Sequence, residues 1–146
     1  MDQLNFHSQN TNQNNYSSNP PPRLLPVLEQ SKSTYKQWLE IHRNIERTAR
    51  FGLGTKIDIL FLDLLELLRK AVYAPLNKKI ILLEMASDKL DSLRFFFQLL
   101  WETKLVSNKQ YISLGAGIES IGKIIGGWKR GLISKTSALK AEERKQ

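Results

Sequence analysis

The sequence predicts an all-α domain, an antiparallel up-down-up-down four-helix bundle, on three observations. From Ser31 onward apolar residues recur at steps of three and four, the period of a helix with one buried face. Short breaks rich in turn and cap residues divide these stretches, and short connections favour antiparallel neighbours. No segment alternates apolar and polar residues as a half-buried strand would.

Residues 1–30 are expected to form a disordered extension. Nine of the first twenty residues are Asn or Gln, and the run Pro20-Pro21-Pro22 closes the stretch. It offers little apolar surface to offset the entropy lost on ordering. Leu24, Leu25, Val27 and Leu28 surround Pro26, which leaves open whether this piece docks on the domain or forms a short turn.

The first helix is expected over residues 33–50, with Tyr35, Trp38, Ile41, Ile45 and Ala49 on its core stripe and Leu39 beside them. Phe51-Gly52-Leu53-Gly54 should break it, and Thr55 with Asp58 resembles a capping box that opens the second helix. That helix, residues 56–74, places Ile57, Leu60, Phe61, Leu64, Leu68, Ala71 and Val72 on one stripe and stops at Pro75. The third, residues 78–105, aligns Leu82, Met85 with Ala86, Leu90, Leu93, Phe96, Phe97 and Leu100. Ser107-Asn108-Lys109-Gln110 is an S-x-x-Q capping box. After it Tyr111, Leu114, Ile118, Ile121 and Ile125 repeat until Gly126-Gly127, where the fourth helix should end. The bundle domain is thus assigned to residues 31–131 and a basic flexible tail to residues 132–146. Ile59, Leu62 and Leu67 fall off the main stripe of the second helix, which predicts a second contact surface and a homo-oligomer.

Composition narrows the function. The 146 residues contain no cysteine, so disulfides, thiolate metal centres and thiol nucleophiles are excluded. Each strongly apolar run is interrupted by a polar or charged side chain within a few residues, too early to span a membrane, and the first residues lack the pattern of a secretory signal. A cytoplasmic location is the expectation. Enzymatic constellations are scarce. His7 stands in the extension, and His42 lies four residues from both Trp38 and Glu46, where packing or a bond to the carboxylate suffices. Glu84, Asp88 and Asp91 form an acidic row, but Lys89 and Arg94 beside them make it a solvated, partly paired face. Gly52-Leu53-Gly54-Thr55-Lys56 lacks the spacing of a phosphate loop, and Gly115-Ala116-Gly117 is followed by Ser120 where a dinucleotide motif needs glycine. Gly122 and Gly126 share a helix face and are expected to admit a close neighbour. No catalytic residue, metal, cofactor or small-molecule substrate is assigned.

Charge is more informative. The chain carries 22 Lys plus Arg against 14 Asp plus Glu, a formal +8. Residues 31–131 hold 17 basic and 10 acidic side chains, so nearly all of the excess belongs to the folded part. On the first helix Lys36, Arg43, Arg47 and Arg50 fall at steps of seven, four and three and form a stripe along one face. Antiparallel topology gathers Arg47, Arg50, Lys56, Lys104 and Lys109 at one pole, and Arg69, Lys70, Lys78, Lys79, Lys123, Lys129 and Arg130 at the other. This is a phosphate-binding footprint, which predicts salt-sensitive and weakly sequence-selective association with nucleic acid. The aromatic residues mostly occupy core spacing, so a stacking platform is not expected.

Several stretches together resemble a known family. Tyr35-Lys36-Gln37-Trp38-Leu39, the turn Arg47-Thr48-Ala49-Arg50-Phe51 leading to Leu53-Gly54-Thr55-Lys56-Ile57, Ala71-Val72-Tyr73 and Leu90-Asp91-Ser92-Leu93-Arg94 are similar to the accessory variability determinant (Avd) proteins of diversity-generating retroelements. Ser107-Asn108-Lys109-Gln110-Tyr111 and Ile121-Gly122-Lys123-Ile124-Ile125-Gly126-Gly127-Trp128 resemble the family's last helix, with its glycine-rich close ending in Trp. The likeness covers residues 31–131. It implies a homopentameric barrel of four-helix bundles that binds a reverse transcriptase and template RNA during mutagenic cDNA synthesis. By the same resemblance, Arg43, Arg47, Arg50, Lys56, Lys104, Lys109, Lys129 and Arg130 are the positions that would contact polymerase or RNA. Bundle proteins encoded by ribosomal RNA intervening sequences share the architecture. The alternative expectation is therefore an oligomeric bundle with general nucleic-acid affinity and no polymerase partner.

Overall fold

The computed structural model describes residues 25–145 and is all-α, a four-helix bundle. The long helices are α1 (Leu25–Asn44), α2 (Thr55–Tyr73), α3 (Leu76–Glu102) and α4 (Asn108–Glu143). Each packs along its two neighbours in the order α1, α2, α3, α4 and back to α1. Side-chain pairs fix the directions. Trp38 meets Asp58 and Tyr35 meets Phe61 across α1 and α2. Lys56 meets Phe96 and Lys89 meets Asp63 across α2 and α3, and Gln37 meets Ser113 across α1 and α4. Gly117 lies against Thr34 on the same pair, and Arg94 meets Glu119 and Trp101 meets Tyr111 across α3 and α4. In every case numbers rise on one helix as they fall on the other, so all four neighbouring pairs are antiparallel.

The core follows the predicted stripes with local exceptions. On α2 all seven stripe residues are buried, and Leu67 joins them, while Ile59 and Leu62 remain exposed. On α4 Leu114, Ile118, Ile121 and Ile125 are buried, with Tyr111 half-buried at the edge. On α3 the stripe runs through Leu83 and Ala86, and Met85, expected inside, faces out. On α1 Trp38 and Ile41 are buried and Tyr35 and Leu39 half-buried, and beyond its end Ile45 is buried and Ala49 half-buried.

Element boundaries depart from expectation at three places. First, α1 begins at Leu25, inside the stretch expected to be disordered. Pro26 sits in its first turn, where no intrahelical N–H is needed. Val27 is fully buried and accepts a 2.6 Å hydrogen bond from Ser31 Oγ, which anchors that turn. The rest of the expected extension, residues 1–24, lies outside the described residues.

Second, the chain breaks at Ile45 and Glu46, ahead of the glycines. Glu46 adopts an extended conformation and its carboxylate accepts from the Thr48 and Ala49 amides, capping a single turn over Arg47–Ala49. Residues Arg50–Gly54 then wind as a π-helical turn that runs directly into α2, so Phe51-Gly52-Leu53-Gly54 is helical and Thr55 is no cap. Gly54 serves close approach: a Cβ there would stand 2.8 Å from His42 Nε2.

Third, α4 continues through Gly126 and Gly127 to Glu143, so the expected flexible tail is helical. The two glycines cost about 1 kcal/mol each in helix propensity. Trp128 and Leu132 pack on the core beyond them and hold the helix across the gap. Its N-terminus matches expectation, with the Ser107 and Gln110 capping box complete in both directions.

Candidate nucleic-acid interface

The expected stripe of Lys36, Arg43, Arg47 and Arg50 does not exist as one helix face, because α1 ends at Asn44 before its last two members. Arg43 is spent on Glu40 at 2.7 Å. Arg47 lies exposed on the capped single turn. Arg50 reaches back toward the Ile45 carbonyl at 3.4 Å and stays exposed.

Folding nevertheless brings a cationic end together. Lys56, in the first turn of α2, extends over the Phe96 ring at 5.6 Å, linking the starts and ends of α2 and α3. Lys104 follows α3 in a left-handed conformation, φ 61°, and its amide donates to the Trp101 carbonyl. Lys109 stands exposed in the first turn of α4. Arg47, Arg50, Lys56, Lys104 and Lys109 thus share one end of the bundle. Among the described residues none of the five has a carboxylate within ion-pair distance. Glu46, the nearest acid in sequence to Arg47, spends its carboxylate on the Thr48 and Ala49 amides, whose hydrogen bonds hold it below the usual range.

Lys129 and Arg130 belong to the opposite end and cannot join this cluster. Arg130 folds back along α4, where a Cβ on Gly126 would stand 3.4 Å from its Nη1. Lys79 at the same end is structural. Its ammonium donates to the Ala71 and Val72 carbonyls at 2.8 and 2.7 Å, lies over Trp128, and burial lowers its pKa. Of the eight positions, Arg43 is paired with Glu40 and the other seven make two basic ends, five and two, rather than one site.

The remaining polar groups are engaged structurally. His42 stacks on Trp38 at 5.1 Å, with no bond to Glu46. Asp91 and Glu119 both bind Arg94, at 2.8 and 2.7 Å, beside an open groove of about 320 Å³ between α3 and α4. Among the described residues no group of three His, Cys, Asp or Glu side chains is arranged to hold a metal, and no helix is long and apolar enough to cross a membrane.

Two features escape the sequence reading. Ile81, Met85, Phe95 and Leu99, spaced within one face of α3, are all exposed, Phe95 to 64%. Phe97, Tyr111 and Trp101 form an aromatic stack at the basic end. Their signal was Trp101 itself, one position past Leu100 and off the core stripe.

A crystal structure of a protein of unknown function from the S23 ribosomal protein family of Bacteroides thetaiotaomicron VPI-5482 superposes on this fold with a TM-score of 0.69. The two are 16% identical, and the match covers 74% of this chain and 98% of that one. At that identity the likeness speaks for a common fold alone. No protein-family model and no curated protein matches the chain.

Proposed function

We propose that this protein is a non-catalytic accessory of a diversity-generating retroelement, an oligomer that binds the reverse transcriptase and its template RNA during mutagenic cDNA synthesis. The observation that carries the RNA half is the cationic end, five Lys and Arg side chains free of carboxylate partners among the described residues. Phosphates bind such a surface by displacing counterions, without reading bases. The polymerase half rests on the motif resemblance to Avd proteins, much of which falls in this same end: Arg47-Thr48-Ala49-Arg50-Phe51 and Ser107-Asn108-Lys109-Gln110-Tyr111. Assembly into a homopentamer, which the resemblance also implies, would repeat the cationic end by symmetry and raise avidity for a long polyanion.

The reading requires a reverse transcriptase encoded beside this gene, and co-purification with that enzyme tests it. Wild type should retain the polymerase, and Arg47→Glu combined with Arg50→Glu should release it while leaving the helical signal intact. Undiminished retention in the double variant removes these arginines from the interface. A second reading takes the cationic end without the motif resemblance: an oligomeric bundle with general nucleic-acid affinity and no polymerase partner. A genome lacking any adjacent reverse transcriptase and paired repeats decides for it.

A further inference from the structure

We propose that the exposed indole of Trp101 is a base-stacking site for single-stranded RNA, with Lys104 and Lys109 placed to take the phosphates on either side. The inference rests on the RNA-binding reading above and adds to it a contact with the bases. The core stripe of α3 runs through Phe97 and Leu100, and the next residue steps out to the rim. There the rings form a ladder from core to solvent. Buried Phe97 stacks on Tyr111 at 5.3 Å and 25°, and Tyr111 stacks on Trp101 at 4.7 Å and 14°. Trp101 Nε1 donates to Asn108 Oδ1 at 2.7 Å, which fixes the edge of the indole in its plane.

A ring held on one face by Tyr111 and on one edge by Asn108 loses little freedom when a base lands on it. Trp101 keeps 37% of its surface open, with its polar atom already satisfied by Asn108. Charge complements the ring. Lys104 donates its amide to the Trp101 carbonyl at 2.9 Å, so it is held within one turn of the indole, and Lys109 adjoins the Asn108 that orients it. Glu102, the adjacent carboxylate, is bonded by Gln98 at 3.0 Å. An exposed aromatic face with cations a few residues away is the combination that binds single strands with little sequence preference, because every base has a π-face.

The test compares binding of a short oligouridylate with an abasic ribose-phosphate strand of equal length, in dilute salt, by wild type, Trp101→Leu and Trp101→Phe. Wild type should prefer the base-bearing strand by about tenfold, the scale of one stacked base. Trp101→Leu should bind both strands alike at the wild-type abasic level, and Trp101→Phe should recover part of the preference. Circular dichroism and melting of each variant establish that the bundle is intact. Equal affinity of wild type for both strands overturns the stacking site and leaves the phosphate-binding reading standing. So does a preference that survives in folded Trp101→Leu. Absence of binding to either strand overturns both.

Discussion

Asp58 illustrates what single residues contribute beyond their place in a pattern. Its Oδ1 accepts from Tyr35 Oη at 3.0 Å and from Trp38 Nε1 at 3.3 Å, tying the middle of α1 to the first turn of α2. The sequence suggested Asp58 as the capping partner of Thr55, a local role, whereas its partners lie 23 and 20 residues away and become visible only once the helices are paired. Burial first, and then the hydrogen bond and charge of Asp58, push the Tyr35 pKa up to about 12. The folded protein therefore holds this proton more tightly than the unfolded chain. Its contribution is complete below about pH 10, the ordinary tyrosine value, and is lost as pH rises through about 12. Tyr35→Phe should cost about 1 kcal/mol at neutral pH. In denaturant titrations the gap to wild type should narrow between pH 10 and pH 12; a gap independent of pH speaks against the Tyr35–Asp58 bond. Two glycines on α4 make a paired comparison. A Cβ on Gly117 would stand 2.7 Å from Thr34 Oγ1, and Thr34 is buried and bonded to the Gln30 carbonyl, so it cannot withdraw. Gly115 has nothing within 4 Å. Gly117→Ala should destabilise by about 1–3 kcal/mol through overpacking, and Gly115→Ala should stabilise by up to about 1 kcal/mol through helix propensity. Thermal melts of the two variants should move in opposite directions.

Helices were legible where one physical signal decided them. The α2 stripe, its stop before Pro75 and the capping box of α4 all came from local chemistry, and all are present. Boundaries failed where tertiary packing overrode propensity. Gly126-Gly127 does not end α4 because Trp128 and Leu132 pack beyond it, and Pro26 does not delay α1 because Val27 is buried in the first turn. The single-turn helix with its Glu46 cap was hidden behind the glycines that follow it. These distinctions predict where element ends are held by specific groups. Ser107→Ala removes the acceptor for the Gln110 amide and should cost about 1 kcal/mol, measured by chemical denaturation. Lys79→Ala withdraws the donor shared by the Ala71 and Val72 carbonyls at the end of α2 and should cost about as much, by the usual worth of such a bond. It should also speed amide exchange in the last turn of α2 while leaving the start of α4 protected. Uniform loss of protection across both ends would mean that Lys79 acts on the bundle as a whole.

At the scale of the molecule, the two basic ends were foreseen from topology, since antiparallel helices must bring these termini together. The division of the candidate residues between opposite ends means that one protomer offers no continuous track for a phosphate chain. For the assembly proposed above, a surface suited to join copies is on α3. Ile81, Met85, Phe95 and Leu99 stand within one face of that helix, exposed by 58%, 47%, 64% and 37%. The sequence pointed to Ile59, Leu62 and Leu67 on α2, and Ile59 and Leu62 are exposed by 48% and 46%. Leu67 is consumed by the core, and periodicity alone could not show that Met85 turns outward while Leu83 turns in. A charge placed amid an apolar contact between copies is strongly opposed, whereas on a free protomer the same position is solvated and nearly neutral. Phe95→Glu should therefore leave the melting of the protomer nearly unchanged and reduce the mass in light scattering from an oligomer to a monomer. Affinity for a long RNA should then fall by about a hundredfold or more as avidity is lost, while affinity for an RNA too short to bridge two copies stays the same. Oligomeric mass retained by Phe95→Glu would take the α3 face out of assembly, and equal losses for long and short RNA would locate Phe95 in the RNA contact itself.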